Sequence, residues 1–409
     1  MNTLIERIRD RNVTIGIIGL GYVGLPLVEE FAMKEIHVVG FDINSNKVKN
    51  LKQKYNNNYI KFCDDIKSLS EMKCDVFIIC VPTPLKEGYP DISYIKNAIF
   101  EITPAITKNT FICLESTTYP GTTREVLKPL IEEKTFLKTG KDVFIGYSPE
   151  RIDPGNKQWC LSNTPKIVSG ITEECLQICK ELYGCITETI PVSSPEVAET
   201  VKLFENTYRA VNIALVNELK MFTTRIGISI WEVIKAAATK PFGFKAFYPG
   251  PGFGGHCIPI DPIYLAWKAR SFNVPMHFIE LASEINANMH KFVVSRIQDA
   301  LNNKRIPLKD AKILIIGVAY KPNLEDTRES PATKIIDLLQ RKGALVTYYD
   351  PHISEFVGLK SVSLTDYIIK NSDCVVIITN HTDINYDLIE SHAKLIIDTR
   401  GQIQSAIIS

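Results

Sequence analysis

A chain of 409 residues, 45% hydrophobic and 23% charged, is long enough for two or three globular domains, each with a full core. Its formal net charge of +1 removes any global drive toward nucleic acid or an acidic membrane surface, and no apolar run reaches membrane-spanning length. The ten cysteines form no Cys-x-x-Cys pair and no ladder with histidine, so the familiar zinc patterns are excluded and no metal is expected. Several cysteines sit in apolar strand-like runs, and no export signal opens the chain, which is the usage expected of a reduced, cytoplasmic protein.

Residues 13–20, VTIGIIGL, form an apolar run without alternation, as a strand buried on both faces requires. It enters Gly19-x-Gly21-x-x-Gly24, then a helical stretch, LPLVEEFAMK, then a second strand, HVVGFD, ending at Asp42. Strand, glycine turn, helix, strand and acid are the context the dinucleotide-binding fingerprint needs. Gly19 makes the tight turn, Gly21 admits a pyrophosphate, and Gly24 lets helix and strand pack. The helix N-terminus then offers free N–H groups to phosphate. Tyr22 and Val23 in the turn and Lys47 beyond the acid complete the expected site. Asp42 suits a ribose diol and repels a 2′-phosphate, so NAD is favoured over NADP. A tight turn without a ligand is the plainer alternative.

Further strands are expected at 75–81, 110–115 and 143–145, with a helix at 92–103. Polar loops follow three of these strands, at the carboxyl edge where open α/β sheets bind ligands. Thr83, Ser116, Thr117, Glu150 and Arg151 there either face cofactor and substrate or serve as turn formers and caps. From residue 194 a helix-start signal, Ser-Pro-Glu, opens more than thirty residues without proline or glycine, up to Gly227. Apolar residues recur at helical spacing through Val197, Val201, Phe204, Tyr208, Val211, Leu215 and Leu219, which predicts one long spine helix and a homodimer interface. Lys202, Asn206 and Arg209 share a face of it, as a functional set or as a solvated stripe.

Helices continue at 231–238 and from 262 to about 301, on either side of a loop at 250–264, GPGFGGHCIPIDPIY. Glycine and proline there suit neither strand nor helix, so the backbone comes close to something just ahead of Cys257 and Asp261. Cys257 reads equally as a reactive thiol or as a small buried hydrophobe. A last region repeats strand, loop, helix, strand and acid from AKILIIGV to Asp350, without the glycine fingerprint. Lys321, Arg328 and Arg400 place cations near its strand ends, which suits a phosphate-bearing substrate. The expected fold class is α/β, with two Rossmann-like domains joined by an all-helical central region; the boundaries are 1–193, 194–303 and 304–409.

An NAD site beside an activated thiol points to oxidation through a covalent intermediate, because hydride transfer alone needs no cysteine. The chain resembles the nucleotide-sugar 6-dehydrogenases of the UDP-glucose/GDP-mannose dehydrogenase family. The resemblance rests on GLGYVGLP, STTYPGTT, SPERIDPG, KLFEN, GPGFGGHCIPIDP and YKPNLEDTRES, in family order over nearly the whole chain. It implies a two-fold oxidation of a sugar C6 hydroxyl to a carboxylate. It also implies roles: Cys257 as nucleophile, Lys202 for proton transfer and oxyanion stabilisation, Asn206 as its partner, Asp261 and Thr117 on the catalytic water, and Glu150 as base in hydrolysis. Lys321 would touch substrate, Arg328 would reach NAD, and Arg400 would reach substrate across a subunit interface. Arg151, Ile152, Arg209, Gly254 and Tyr320 complete the implied substrate site. UDP-glucose members usually carry a second glutamate where Pro154 stands, lack a histidine where His256 stands, and have a basic residue where Ile260 stands. The resemblance therefore favours a UDP-N-acetylhexosamine, foremost UDP-N-acetylglucosamine, over UDP-glucose. UDP-N-acetylmannosamine, UDP-N-acetylgalactosamine and UDP-glucose stay open, as do a two-electron dehydrogenase and a non-catalytic nucleotide-sugar sensor.

Overall fold

The computed structural model describes residues 3–153, 156, 158–255, 258–403 and 406–408, so Pro154, His256 and Cys257 lie outside the described residues. The chain divides into two compact units, Met1–Glu205 with Ile263–Val274, and Asn206–Pro262 with Pro275–Ser409.

In the first unit the buried apolar runs become strands β1 (Thr14–Ile18), β2 (His37–Phe41), β3 (Ile60–Cys63), β4 (Val76–Ile79), β5 (Phe111–Leu114), β6 (Phe144–Tyr147), β7 (Lys166–Gly170) and β8 (Thr189–Pro191). They form one sheet in the order β8-β7-β6-β5-β4-β1-β2-β3. The paired strands run parallel except β6 and β7, which are antiparallel. Helices α1 (Leu4–Arg9), α2 (Gly24–Met33), α3 (Ser45–Lys54), α4 (Ile66–Glu71), α5 (Ser93–Ile102), α6 (Lys128–Thr135) and α7 (Glu173–Gly184) connect them. Alternate residues of one strand feed opposite faces. Ile15 and Ile17 pack with Leu27 and Phe31 of α2 and with Ile178 and Leu182 of α7. Phe77 and Ile79 pack with Ile95 and Ile99 of α5 on the other face. This two-sided burial is why the strands read as continuous apolar runs. Cys175 and Cys179 are fully buried on α7 in that packing.

The long helix is α8 (Pro195–Arg225), 31 residues, and it ends where Gly227 takes φ 72° and the Ile228 amide returns to the Thr223 carbonyl at 2.9 Å. Its burial is the reverse of a simple amphipathic reading. Phe204, Leu215 and Phe222 are 63%, 60% and 57% exposed, while Ala198, Ala210, Ala214, Asn217 and Lys220 are buried. Alongside Leu203 and Val216, small and polar side chains therefore face the protein's own interior, and the stripe through Phe204, Leu215 and Phe222 is left outside.

In the second unit, α9 (Ile230–Ala237), α10 (Asp261–Arg270) and α11 (His277–Asn303) follow. Helix α10 is shared, since its later residues belong to the first unit. The helical run expected from 262 to 301 is broken at 271–276. There Asn273 takes a left-handed φ of 59°, and Pro275 cannot supply the N–H that a continuing helix needs. A second sheet follows, of β9 (Lys312–Ile316), β10 (Leu345–Tyr349), β11 (Cys374–Ile377), β12 (Ile396–Asp398) and β13 (Ile407–Ile408), all parallel in the order β10-β9-β11-β12-β13. Helices α11 and α12 (Pro331–Arg341) cover one face, and α13 (Asp366–Asn371) with α14 (Tyr386–His392) cover the other.

Glu199 of α8 ties the spine to the first unit's loops. Its carboxylate accepts from the Gly121 amide at 2.5 Å and from the Thr123 amide and hydroxyl at 2.8 and 2.7 Å, capping the helical stretch that leads into α6. Complete burial outweighs those bonds and raises the Glu199 carboxyl to about 7. The unfolded carboxyl titrates near about 4.3, so folding binds a proton between the two values. The stability contributed by protonated Glu199 is full below about pH 4 and is lost as pH rises through 7, a fall of roughly 3 kcal/mol. In urea melts from pH 4.5 to 8, the stability of the wild type relative to Glu199→Gln should decline with rising pH; a pH-independent difference would contradict this.

Candidate active site

The glycine turn is shaped for a dinucleotide. Gly19 has φ 94°, and a Cβ at Gly24 would stand 1.9 Å from the Gly19 carbonyl oxygen, so neither position accepts a side chain without strain. A Cβ at Gly21 would meet nothing within 4 Å, which leaves the turn open on the side where a pyrophosphate must approach. No side chain caps α2 at Val23, so the helix N-terminus keeps donors for an anion. The Asp42 carboxylate accepts from the Leu20 and Asn44 amides at 3.1 and 3.0 Å and from Lys47 Nζ at 2.8 Å. Burial opposes its charge, but these donors prevail and hold its pKa below the usual range. It is thus an ionised acceptor at the strand end, as a ribose diol requires. Tyr22 is exposed beside the turn. The Thr83 carbonyl accepts from the Tyr264 hydroxyl at 3.1 Å.

The loop after β6 is organised around Glu150, which is 8% exposed. Its Oε1 accepts from the Arg151 and Ile152 amides, both at 2.6 Å, and its Oε2 faces Lys166 Nζ at 3.3 Å. Its backbone carbonyl accepts from Lys202 Nζ at 2.5 Å, which brings the base and the lysine named from sequence into one cluster. The Arg151 guanidinium is engaged by Glu205 at 2.7 Å and by the Pro165 carbonyl at 2.7 Å, so its donors brace the loop. Thr117 is half-buried in the neighbouring loop.

One turn along α8 from Lys202, the Asn206 amide donates to Asp261 Oδ2 at 2.5 Å. Asp261 is 1% exposed at the start of α10. Arg209 is exposed on the next turn. The glycine loop before it is held by contact. The Gly250 amide donates to Asn217 Oδ1 at 2.9 Å, and Asn217 in turn donates to Asn286 at 2.8 Å. The Gly255 amide donates to the Arg328 carbonyl at 3.1 Å, and a Cβ on Gly254 would stand 2.5 Å from Tyr320 Cβ. The segment carrying Tyr320, Lys321 and Arg328 therefore lies directly against the loop that leads to position 257. The Arg328 guanidinium itself is paired with Asp326 at 2.5 Å.

Arg400 stands against Gly250 of its own chain, where a Cβ would fall 2.7 Å from its Nη1, and its Nε donates to the Ile378 carbonyl at 2.6 Å. Burial lowers the Arg400 pKa to about 10 and the buried Lys220 ammonium to about 7, against the attraction of Asp398. Lys220 lies over the Trp231 ring at 5.8 Å. The Arg400 charge at the end of the second sheet suits a phosphate-bearing ligand, and a bound phosphate would favour the protonated form of Lys220. At the corresponding end of β10, Asp350 is occupied by the Val318 and Ala319 amides at 2.7 and 3.1 Å and by His381 at 3.0 Å. Among the described residues, no cluster of His, Cys, Asp or Glu has the arrangement of a metal site, and no helix is long and apolar enough to cross a membrane.

Sequence reading missed Lys166, Glu115, Tyr183 and Glu199. The signals were present: a lysine opens the otherwise apolar strand KIVSG, and a glutamate closes TFICLE.

An ionised acid beyond a phosphate-ready glycine turn, with a second unit carrying basic groups at its sheet end, is the arrangement of a protein that binds a dinucleotide and a phosphorylated ligand. Three consecutive stretches match the UDP-glucose/GDP-mannose dehydrogenase family: its NAD binding domain at 13–187, its central domain at 196–288 and its UDP binding domain at 314–405. A UDP-N-acetyl-D-glucosamine 6-dehydrogenase of Pseudomonas aeruginosa is 38% identical over 368 residues, covering 87% of this chain and 86% of that one. A UDP-N-acetyl-D-mannosamine dehydrogenase of Methanococcus maripaludis is 35% identical, covering 96% and 94%. Among solved structures, the UDP-D-ManNAc dehydrogenase of Pyrococcus horikoshii superposes with a TM-score of 0.88 at 32% identity over 96% of each chain. The chain belongs to this family and is an NAD-dependent dehydrogenase of a UDP sugar.

Asp42→Ala removes the charged acceptor for the ribose and should weaken NAD binding by about ten- to a hundredfold, in line with roughly 1.5–3 kcal/mol for a hydrogen bond to a charged group. Calorimetric titration checks this, and unchanged affinity would count against the assignment.

Proposed function

We propose that the protein oxidises the C6 hydroxyl of a UDP-N-acetylhexosamine, foremost UDP-N-acetylglucosamine, to the uronate with two NAD and one water. The observation that carries the chemistry is the pair of polar contacts on successive turns of α8, Lys202 to the Glu150 carbonyl and Asn206 to Asp261. The motif around residues 254–262 and the 38% identity to the Pseudomonas aeruginosa enzyme support the substrate. UDP-N-acetylmannosamine is the second reading, favoured by the similarity to the Methanococcus maripaludis and Pyrococcus horikoshii proteins.

NAD, held by Gly19, Gly21, Gly24 and Asp42, supplies the hydride acceptor for both oxidations. Lys202 and Asn206 hold the sugar oxygen and stabilise negative charge on it as the alcohol loses its proton. The Cys257 thiolate adds to the resulting aldehyde, and the thiohemiacetal it forms gives up a second hydride to become a thioester. Asp261 and Thr117 orient a water, and Glu150 takes its proton as the oxygen attacks the thioester carbon. The C–S bond breaks, the thiolate leaves, and the carboxylate is released. The whole reaction turns alcohol, two NAD and water into carboxylate, two NADH and three protons. Lys321 and Arg400 would bind the nucleotide sugar, and Arg328 would exchange Asp326 for the cofactor.

The test is NAD reduction with a panel of UDP sugars. The expected result is highest kcat/KM for UDP-N-acetylglucosamine; reduction by none of them would favour a nucleotide-sugar sensor. With the preferred sugar, Cys257→Ser should abolish uronate formation while leaving at most slow, partial hydride transfer, and unchanged uronate production would overturn the thioester route.

The exposed stripe of Phe204, Leu215, Leu219 and Phe222 supports a homodimer through α8. Leu215→Arg should halve the molar mass measured by light scattering while circular dichroism stays native; an unchanged mass would argue against this interface.

A further inference from the structure

Lys166 has no role in the chemistry described so far, yet it is the most heavily engaged buried charge of the first unit. It opens β7, and its side chain is 3% exposed. Its ammonium lies 2.9 Å from Glu115 Oε2, 3.3 Å from Glu150 Oε2 and 3.5 Å from the Pro149 carbonyl. The Tyr183 ring lies 5.0 Å away, and the Tyr183 hydroxyl donates to the other oxygen of Glu115 at 2.5 Å. A chain of contacts thus runs from Tyr183 on α7 through Glu115 at the end of β5 to Lys166 and then Glu150. Burial works against the Lys166 charge, but its two carboxylate neighbours outweigh that and hold it protonated. Such a group is costly to bury, and a sheet can be built without it, so apolar packing alone does not account for it.

The geometry at Glu150 shows what the arrangement does. A carboxylate offers about four lone-pair sites. Two donors, the Arg151 and Ile152 amides, converge on Oε1, and Lys166 occupies one site of Oε2. Among the described residues, one site on Oε2 is left. We propose that Lys166 is a positioning residue for the hydrolytic half of the reaction: through Glu115 and Tyr183 it fixes the Glu150 carboxylate so that its remaining Oε2 lone pair receives the proton of the attacking water. This rests on the reading of Glu150 as the hydrolytic base. Because the Glu150 carbonyl also receives Lys202, a shift of Glu150 would disturb both ends of the site.

The test is Lys166→Met in rapid-mixing and steady-state assays with the preferred UDP sugar. The expected result is a burst approaching two NADH per site, a steady-state kcat reduced on the order of a hundredfold, the scale of a general base, and a KM changed less than threefold. Lys166→Arg should restore most of the loss. Unchanged kcat, or burst and steady state falling together, would overturn the proposal. If Lys166→Met does not fold, Glu115→Gln/Lys166→Met removes the opposite charges together and should show the same burst. A crystal structure of the folded variant gives a readout that needs no substrate. Glu150 leaving the Arg151 and Ile152 amides supports the proposal, and Glu150 staying in place sinks it. Unchanged uronate formation by Cys257→Ser would instead refute the thioester reading, and the Lys166→Met structure would still decide the positioning claim.

Discussion

A carboxylate at the carboxyl end of a buried strand has to be met by donors, and this constraint recurs throughout the molecule. Asp42 follows β2 and gathers two amides and Lys47. Glu115 follows β5 and gathers Lys166 and Tyr183. Asp350 follows β10 and gathers four amides and His381. Asp398 closes β12 and accepts from the amides of Arg400, Gly401, Gln402 and Ile403. Asp42, Asp350 and Asp398 accept amides from the loops that follow them and so fold those loops back, while Glu115 binds side chains from β7 and α7. Because ligands of open α/β sheets bind at this same edge, the residues that shape the loops also shape the sites.

What distinguishes the four is whether capacity is left over. Asp350 is enclosed by its own chain, so the second sheet repeats the strand–helix–strand–acid order of the first while that acid is already occupied. Asp42 remains at a turn where Gly21 faces open space. The same topology therefore offers a dinucleotide site at one sheet and basic groups at the end of the other, where Arg400 keeps its charge against burial and Lys220 is brought to about 7. Division of labour between NAD and UDP sugar follows from which strand-end groups are internally satisfied.

The glycines ahead of position 257 illustrate a second constraint. Their value is closeness to Arg400 and Tyr320 rather than freedom of movement, since an added Cβ would fall 2.7 Å from Arg400 at Gly250, and 2.5 and 2.8 Å from Tyr320 at Gly254 and Gly255. The loop is a packed strap, held at one end by Asn217 and at the other by the Arg328 carbonyl.

The sequence by itself determined the α/β class, the glycine turn with Asp42, the extent of α8 and the spacing of Lys202, Asn206 and Arg209 along one face of it. These are encoded locally, by apolar runs, glycine spacing and one-turn offsets, so no distant contact is needed to read them. Tertiary structure alone decided that the apolar stripe of α8 faces outward, because periodicity reveals a face but not what covers it. It also decided the break at Asn273 and Pro275, the docking of the Tyr264 hydroxyl on the Thr83 carbonyl, and the pairing of Arg151 with Glu205. The role of Lys166 lay furthest from sequence. Its partners are 16 and 51 residues away along the chain, and only the pairing of β5 with β6 and the antiparallel pairing of β6 with β7 bring the three charges together.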